Sequence, residues 1–377
     1  MITNILLTDM KHYFLLFILL LVIITIEGCT EELHPETNGT NSPVLNEGEL
    51  TKAVLDLSVN TFAVEAQAET RASIPSNIPE NETSEEKEVH NIWVFQYDAV
   101  TKELLIKPRY YTITDQIMLQ DLPVYLKAGI PSFVYVVTNT GYDNWANDDT
   151  DTSWQKFKNL EQLKKQTLPT AFPLRSIDKV SIPMVGASEE VEVTTGITVT
   201  VPVTRMYAKL KVKVEMLKAE MKLNNVNVRQ IPNICRIETF AGDGNGEPMN
   251  AVPFPDGTTF SSIAFAASDL EKSEDKEWAV FYVPENLQGE IENQGGNKSD
   301  AAPTNALVVD VTAEIGGEKY LYAAYPGGNS LNNFNIQRNQ VYRMTLTITG
   351  EKGQNNPSSN CFVVKPNGFL SFEPYYR

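Results

Sequence analysis

Histidine and cysteine are both scarce, with three of each in 377 residues. The histidines are His12, His34 and His90, which argues against a histidine-rich metal centre and against a Ser-His or Cys-His catalytic pair. Basic residues are also few: 31 Lys and Arg stand against 48 Asp and Glu, for a formal net charge of −17. Because nucleic-acid phosphates are bound by Lys and Arg patches, we expect no nucleic-acid partner.

Enzyme signatures are lacking as well. The sequence contains no P-loop, no GxGxxG, no GxSxG and no HExxH, and we expect no enzyme, no cofactor and no metal site. Two acidic stretches, 143–151 and 243–247, lack the glycine and glutamate spacing of a calcium loop, so solvated loops are the simpler interpretation. A glycosidase needs only two suitably spaced carboxylates, and 48 acidic residues single out no pair, which leaves an enzyme as the least favoured alternative.

The N-terminus carries a targeting segment. Its apolar run over residues 13–26 is shorter than the roughly 20 residues of a membrane-spanning helix. The run ends in Ile-Glu-Gly-Cys29, which resembles a bacterial lipobox, although the glutamate departs from the usual small residue. Residues 1–28 are therefore predicted to be a lipoprotein signal peptide and Cys29 the lipidated residue. The alternatives are translation from Met10 and an uncleaved anchor helix, and in each case the folded part lies outside the cytoplasm.

Behind the signal peptide, residues 29–48 are polar with proline and glycine and are predicted to be a flexible tether. The two glutamates next to the cysteine resemble the export signal that sends lipoproteins to the cell surface in Bacteroides-group bacteria. The length of the remaining chain favours two domains. We place them at 49–204 and 205–349, followed by a tail of residues 350–377.

The clearest pattern in the chain is the run 197–216. Its second half alternates with a period of two, which is typical of a strand with one buried and one solvated face. Pro202 in the first half indicates an edge or a break. Two strands meeting here suggest the passage from one domain to the next, so the boundary is placed near Thr204. The predicted buried face comprises Ala208, Leu210, Val212 and Val214, and the predicted solvated face comprises Lys209, Lys211, Lys213 and Glu215.

Short apolar segments on both sides of this run predict a mainly β protein of two tandem β-sandwich domains, with one short helix over 153–166 in the first. In the first domain we expect strands at 51–62, 89–97, 104–114, 117–126 and 133–138. In the second we expect them at 225–231, 234–240, 278–283, 306–313, 320–325 and 341–349.

Cys235 and Cys361 are the cysteines of the two-domain region and the tail. Outside the cytoplasm they can form a disulfide, which would close a loop of more than a hundred residues and stabilise the fold by about 4–5 kcal/mol if unstrained. Two buried free thiols are an equally good interpretation.

Several short motifs follow one another along the mature chain, and with the lipobox and Thr70-Arg71-Ala72 their order resembles the fimbrillins, the type V pilus subunits of the Bacteroides group. The resemblance covers nearly the whole mature chain. It implies two transthyretin-like β-sandwich domains, export as an outer-membrane lipoprotein, removal of the leading strand by an arginine-directed protease, and polymerisation by donated strands. The motifs are Trp93-Val-Phe-Gln-Tyr, Ile182-Pro-Met-Val-Gly, Arg205-Met-Tyr-Ala-Lys-Leu, Phe281-Tyr-Val-Pro-Glu and Arg338-Asn-Gln-Val-Tyr-Arg.

Arg71 is the residue after which the resemblance implies cleavage. The cut would release residues 29–71 with the 51–62 strand and leave an unpaired edge and an apolar groove, which is a template for a strand of another chain. The alternative is that Arg71 is an ordinary solvated loop residue. The inward side chains of the released strand would be Ala53, Leu55, Leu57 and Val59.

The segment 360–377 is apolar enough to be a donor strand, and it also resembles the opening of an additional C-terminal domain in larger fimbrillin-like proteins. Shaft, anchor and tip roles stay open. The expected partners are other pilus subunits, the outer membrane through the lipid on Cys29, and host or bacterial surface ligands, with a role in adhesion. The competing function is a non-polymerising surface lipoprotein that binds glycan, for which Trp145 and Trp154 are the candidate aromatic residues.

Overall fold

The computed structural model describes thirteen stretches of the chain, almost all of them β-structure, and for the last of these the backbone strand alone. No helix in these stretches is long and apolar enough to cross a membrane. The described residues are 48–64, 82–113, 120–141, 145, 153–170, 175–176, 178, 181–238, 250–272, 276–291, 301–328, 332–348 and 360–362.

The strands of the N-terminal half are β1 (Leu50–Val59), β2 (Ala63–Val64), β3 (Asn91–Asp98), β4 (Arg109–Thr112), β5 (Leu122–Lys127), β6 (Pro131–Thr138), β7 (Thr167–Pro169), β8 (Met184–Ala187), β9 (Val191–Glu192) and β10 (Thr198–Arg205). Those that follow are β11 (Tyr207–Met216), β12 (Met221–Pro232), β13 (Ile234–Arg236), β14 (Phe260–Ala266), β15 (Trp278–Pro284), β16 (Val308–Ile315), β17 (Glu318–Ala324), β18 (Gln340–Ile348) and β19 (Asn360–Phe362). The helices are α1 (Leu160–Lys164) and α2 (Ala267–Leu270), with 3-10 turns at Glu85–Lys87 and Ser153–Phe157.

The first sheet is built from residues between Leu50 and Arg205. Its order is β4-β3-β6-β8-β10-β1-β5, with β9 also pairing with β6. The sheet curves until β3 and β5, near its two ends, meet. Gln96 in β3 donates to the Lys127 carbonyl in β5 (2.9 Å) and accepts from the Lys127 amide (2.7 Å). Aliphatic side chains from both ends of the sheet meet in the enclosed core, among them Leu55, Val94 and Val124.

The later strands form two further sheets, ordered β15-β11-β18-β2 and β14-β12-β16-β17-β19. Side chains of both pack in one apolar cluster, including Leu210 from β11, Val228 from β12 and Phe281 from β15. The first half contributes two strands to this region, since β2 pairs with β18 and β7 pairs with β13. The mainly β, sandwich-rich architecture that the sequence predicted is therefore confirmed.

Three local features refine or correct the prediction. The short helix expected within 153–166 is present as α1, but it is shorter than predicted, because the extended Asn159 separates it from a 3-10 turn and caps α1 by accepting from the Gln162 amide at 2.9 Å. Pro202 does not mark a break, because it lies within β10 and pairs with Ser58 of β1; among the described strands its other side has no partner, since the pairing with β8 begins at Val203, which agrees with the edge alternative. The strand β14 was not expected at all.

The boundary near Thr204 coincides with a change of sheet, from β10 in the first sheet to β11 in the second. The contacts group residues 45–377 into one compact unit. Independent folding of 49–204 and 205–349 stays a prediction.

The position of β1 inside the first sheet leads to a test of its packing. Leu55 is fully buried, whereas Lys52 on the same strand is exposed. We expect Leu55→Ala to lower the free energy of unfolding by about 2–5 kcal/mol, because it leaves a cavity beside the other aliphatic side chains of the core. Lys52→Ala should change it by less than about 0.5 kcal/mol. Urea unfolding of both variants measures this, and equal effects would contradict the central placement of β1.

Candidate functional site

The leading strand β1 lies in the interior of the first sheet. It pairs in parallel with β10 from Val54↔Thr198 to Val59↔Val203, and antiparallel with β5 from Leu50↔Lys127 to Leu55↔Leu122. Its side chains alternate, with Ala53, Leu55 and Leu57 buried in the core. If β1 left, two neighbouring strands would each lose a partner and a row of apolar positions would open.

The residues after β1 cross from the first sheet to the second. The Asn60 amide donates to the Val203 carbonyl of β10 (2.9 Å), and the Ala63 amide donates to the Asn339 carbonyl just before β18 (2.8 Å). Residues 60–64, which we call the leading-strand exit, therefore connect both sheet systems.

Arg205 is the centre of this crossing and is fully buried. Its Nε donates to the Glu86 carbonyl (2.9 Å), and its Nη1 donates to the Asn60 carbonyl (2.7 Å) and to the Asn339 Oδ1 (3.2 Å). The guanidinium also lies over the Phe62 ring, 4.2 Å from the ring centre. A desolvated cation–π contact of this kind is worth about 2 kcal/mol.

Two buried carboxylates complete the cluster. Glu82 accepts from the Phe62 amide at 2.6 Å and lies 3.4 Å from Arg205 Nη1. Glu86 accepts from the Tyr282 hydroxyl at 2.5 Å and pairs with Lys209 Nζ at 2.7 Å. We call Arg205, Glu82, Glu86, Lys209 and Tyr282 the junction cluster. Its two buried cations and two buried anions balance, which is the condition under which such charges are tolerated away from water.

Burial and neighbouring charges shift the pKa values in opposite directions. Burial acts to raise the pKa of Glu82, but hydrogen bonds from Lys87 and the Phe62 amide, together with the charge of Arg205, lower it below its ordinary value of 4.5. Burial lowers the pKa of Arg205, and the two glutamates partly offset this effect. Burial, then the adjacent Glu86 carboxylate, raises the pKa of Tyr282, so its hydroxyl stays protonated and donates.

The junction cluster holds both ends of the segment 65–81. Phe62, before the segment, and Glu82, after it, are joined by the 2.6 Å hydrogen bond described above. A chain break anywhere in 65–81 would leave these contacts intact. Cutting the chain within 65–81 would therefore not be sufficient to release β1, because these contacts would still hold the residues that follow it.

The predicted site residues are distributed unevenly over the structure. Cys29 and Arg71 lie outside the described residues, so lipidation and processing stay predictions. Cys235 is buried in β13, with its Sγ 3.5 Å from the Leu168 carbonyl. Burial raises its pKa to about 12. The Cys361 side chain is not among those described, and its pairing with Cys235 stays a prediction.

Trp145, one of the two candidate glycan-binding residues, belongs to the core. It is buried, and its ring packs edge-on against Phe95 and Phe157, with centroids 6.0 and 5.1 Å apart. A ring enclosed in this way is not available to stack on a sugar. The acidic stretches 143–151 and 243–247 lie outside the described residues, apart from Trp145 itself.

Sequence reasoning missed the junction cluster. Lys209 was assigned to the solvated face of β11, and that assignment was wrong: it is buried because Glu86 lies opposite its ammonium. Lys211, Lys213 and Glu215 are partly buried. The available signal was the motif Arg205-Met-Tyr-Ala-Lys209, which places two cations beside a strand junction with no adjacent acid to pair them.

A motif near the C-terminus supplies a further buried ion pair. Arg338 donates from Nη2 to Glu285 (2.8 Å) and from Nε to the same carboxylate (3.1 Å). It also donates to the carbonyls of Arg236, Ile237 and Glu238 (3.0–3.3 Å). The following residue, Asn339, has φ of 56° and donates to the Thr61 carbonyl at 2.8 Å. This motif therefore fixes β13 and the leading-strand exit.

Comparisons with known proteins identify other chains of similar fold. Residues 281–346 match a family model described as a domain of unknown function, DUF4906. No curated protein matches the sequence. A proposed cell adhesion protein from Parabacteroides distasonis is 14% identical with a TM-score of 0.50, over 87% of this chain and 99% of that one. The two chains share one fold. At this identity the likeness concerns the fold and does not carry over a function.

Two further solved structures are similar to the chain. A proposed cell adhesion protein from Bacteroides eggerthii is 14% identical, covers 82% of this chain and 89% of its own, and has a TM-score of 0.48. The tip fimbrial protein Mfa3 from Porphyromonas gingivalis, with a C-terminal truncation, is 15% identical, covers 81% and 97%, and has a TM-score of 0.46.

The pKa of Glu82 gives a pH-dependence that can be measured. A carboxyl whose folded pKa is lowered stabilises the fold above its ordinary pKa, and this contribution is lost as pH falls through the folded value. We expect the wild-type free energy of unfolding to fall below about pH 4.5 more steeply than that of Glu82→Gln. Urea unfolding between pH 3 and 7 compares them, with exposed Glu192→Gln as the matched control. Identical pH profiles for the wild type and Glu82→Gln would contradict the assignment.

Proposed function

We propose that this protein is a fimbrillin-like subunit of a type V pilus, exported as a surface lipoprotein and assembled by donor-strand exchange. The observation that carries the proposal is the placement of β1, an N-terminal strand paired on both sides within the first sheet. Residues 60–64 and the segment 65–81 link this strand to the part of the chain that follows it. The shared fold with a proposed cell adhesion protein supports a role in adhesion at the cell surface.

Replacement of β1 by another strand costs less free energy than loss of β1 with an open groove. Each fully buried aliphatic side chain contributes about 1.5–3 kcal/mol, and backbone groups on both neighbouring strands would lose their partners. An open groove between β10 and β5 is therefore unstable unless another strand enters it. A strand from a second subunit satisfies the backbone and fills the pockets in the same way.

The C-terminal segment is the candidate donor. Its first residues form β19, which pairs in parallel with β17 through Tyr322↔Asn360, Ala323↔Cys361 and Ala324↔Phe362. This pairing lies at the edge of its sheet and involves three residues, so it is easily exchanged. Its β-forming character supports use of residues 360–377 as the donated strand.

Export and anchoring follow from the N-terminus in this proposal. The lipid on Cys29 holds the precursor at the outer membrane, and cleavage after Arg71 followed by exchange of β1 for another strand frees the subunit from the lipid-bearing fragment. The subunit's partners are then other pilus subunits, and the assembled fibre presents surfaces to host or bacterial ligands. The role as shaft, anchor or tip depends on whether Arg71 is cut in the cell.

Limited digestion of the full chain with trypsin tests the processing step. We expect the first cut after Arg71, with the N-terminal fragment still eluting with the body on size exclusion, because the junction cluster lies outside the cut. Mass spectrometry identifies the fragments. Arg71→Gln should delay this cut, whereas Lys218→Gln, in the exposed turn after β11, should not. Early cleavage at Lys218 with Arg71 intact would argue for a static anchor instead.

Lipidation is tested separately. Cys29→Ala should abolish labelling by a fatty-acid probe and leave the precursor in the inner membrane, because acyl transfer requires the thiol. Thr30→Ala, which keeps the cysteine, should behave as the wild type. Unchanged outer-membrane fractionation of Cys29→Ala would rule out the lipoprotein assignment.

A further inference from the structure

We propose that the junction cluster is a recognition site for an aromatic residue that follows a strand bound in the β1 groove. Its ligand is an extended peptide that presents, just beyond the strand, one main-chain carbonyl, one amide and one aromatic ring. The proposal rests on the exchange function above and specifies what an incoming strand must carry.

Most of the site belongs to the body of the protein. Arg205 ends β10 and is held by the Glu86 carbonyl, Glu82 lies in the segment that returns after 65–81, and Asn339 precedes β18. None of these residues leaves with the leading strand. The site is therefore preformed for whatever chain occupies the groove.

The leading-strand exit fills this site with three kinds of contact. The Asn60 carbonyl accepts from Arg205 (2.7 Å), the Phe62 amide donates to Glu82 (2.6 Å), and the Phe62 ring stacks under the guanidinium at 4.2 Å. Phe62 is buried, and Lys209 Nζ also lies 5.7 Å from its ring. Two cations thus face one aromatic ring, which an aliphatic side chain cannot match electrostatically.

An empty site is unfavourable for the body. Among the described residues, Arg205 Nη2 has no hydrogen-bond partner even with the exit in place. Removing the exit would also deprive Nη1 of the Asn60 carbonyl and the guanidinium of the ring. A buried charge that loses partners strongly favours any chain that restores them. A strand without the aromatic residue would fill the groove but not the junction.

The occupant we assign is the C-terminal segment of a second copy. Residues 363–377 contain four aromatic side chains, at Phe369, Phe372, Tyr375 and Tyr376, beyond the residues of β19. An aromatic side chain among these can reach the junction if the preceding residues lie in the groove. The same recognition applies to the chain's own leading strand, which makes it directly measurable.

The experiment uses the full chain with a specific protease site introduced in place of residues 72–78. After cutting, a labelled peptide of residues 50–64 is exchanged into the groove, and its dissociation rate is measured by fluorescence anisotropy. We expect the Phe62→Ala peptide to dissociate at least about tenfold faster than the wild-type peptide. The Ser58→Ala peptide, altered at an exposed position of the same strand, should match the wild type within about twofold.

Two further measurements distinguish recognition of the aromatic ring by Arg205 from burial of an apolar side chain. In the Arg205→Met protein, Phe62→Ala should increase the dissociation rate of the peptide by only about twofold. The four dissociation rates form a double-mutant cycle, which isolates the contact between Arg205 and Phe62. If Arg205→Met does not fold, a peptide with cyclohexylalanine at position 62 replaces it, because this side chain keeps the volume and lacks the π face. That peptide should dissociate several-fold faster than the wild type. Equal rates for phenylalanine and cyclohexylalanine, or an undiminished penalty in Arg205→Met, overturn the proposal.

The experiment distinguishes failure of the donor-strand assignment from failure of the junction site. A peptide of residues 360–377 should also enter the groove, and replacing the four aromatic residues beyond β19 (Phe369, Phe372, Tyr375 and Tyr376) by leucine should weaken its binding at least about tenfold. If that peptide never binds while the 50–64 series behaves as expected, the donor assignment fails and the junction site stands. If the 50–64 series shows no dependence on position 62, the junction site fails whatever the tail does.

Discussion

A buried guanidinium is the constraint on which the rest of this structure depends. Arg205 stands where β10 ends, and the next strand, β11, already belongs to another sheet. A full charge without water requires partners from every direction, and here they come from three separate parts of the chain: Asn60, Glu86 and Asn339. Losing any one of them would leave a charge or a strong donor unpaired, at a cost of about 1–3 kcal/mol for an unsatisfied group. The junction between the sheets therefore combines these directional contacts with the apolar packing of Phe62 and its neighbours.

Under the proposed exchange, this arrangement would make the leading strand both essential to the fold and replaceable by another strand. The groove side of β1 is held by aliphatic burial, which tolerates any side chains of similar shape. The leading-strand exit is held by directional contacts to Arg205 and Glu82, and these contacts do not tolerate such substitution. Cutting the segment 65–81 breaks neither set, so the strand stays until a competitor offers both. In the proposed strand exchange, a competitor that satisfies both sets of contacts replaces β1 directly, which would keep the edges of β10 and β5 from non-specific pairing.

Alternation in the sequence predicted most of the longer strands, though not β14, and the buried positions Ala53, Leu55 and Leu57 of β1, because burial on one side of a sheet enforces a period of two. Three kinds of feature escaped it. Lys209 obeys the alternation as a polar residue and is nevertheless buried, since the acid opposite it, Glu86, lies more than a hundred residues earlier in the chain. A proline inside an apolar run can indicate a break, yet Pro202 lies within the continuous strand β10, because it pairs with Ser58 of β1 and only the short strand β8 does not reach it. The helix over 153–166 has a good apolar period, but a tertiary pairing at Asn159 interrupts it. In each case a contact distant in sequence overrides a local preference.

The two buried cations of the junction are not interchangeable, and the difference explains which of them faces the exit. The ammonium of Lys209 is a compact charge and meets one carboxylate at 2.7 Å. The planar guanidinium of Arg205 donates in several directions at once and leaves its flat face free to stack on Phe62. A lysine at 205 lacks the planar guanidinium, so it cannot keep the face-on contact with Phe62 together with the in-plane hydrogen bonds to Glu86, Asn60 and Asn339. The proposed recognition of a chain by backbone and ring together therefore depends on an arginine at the end of β10.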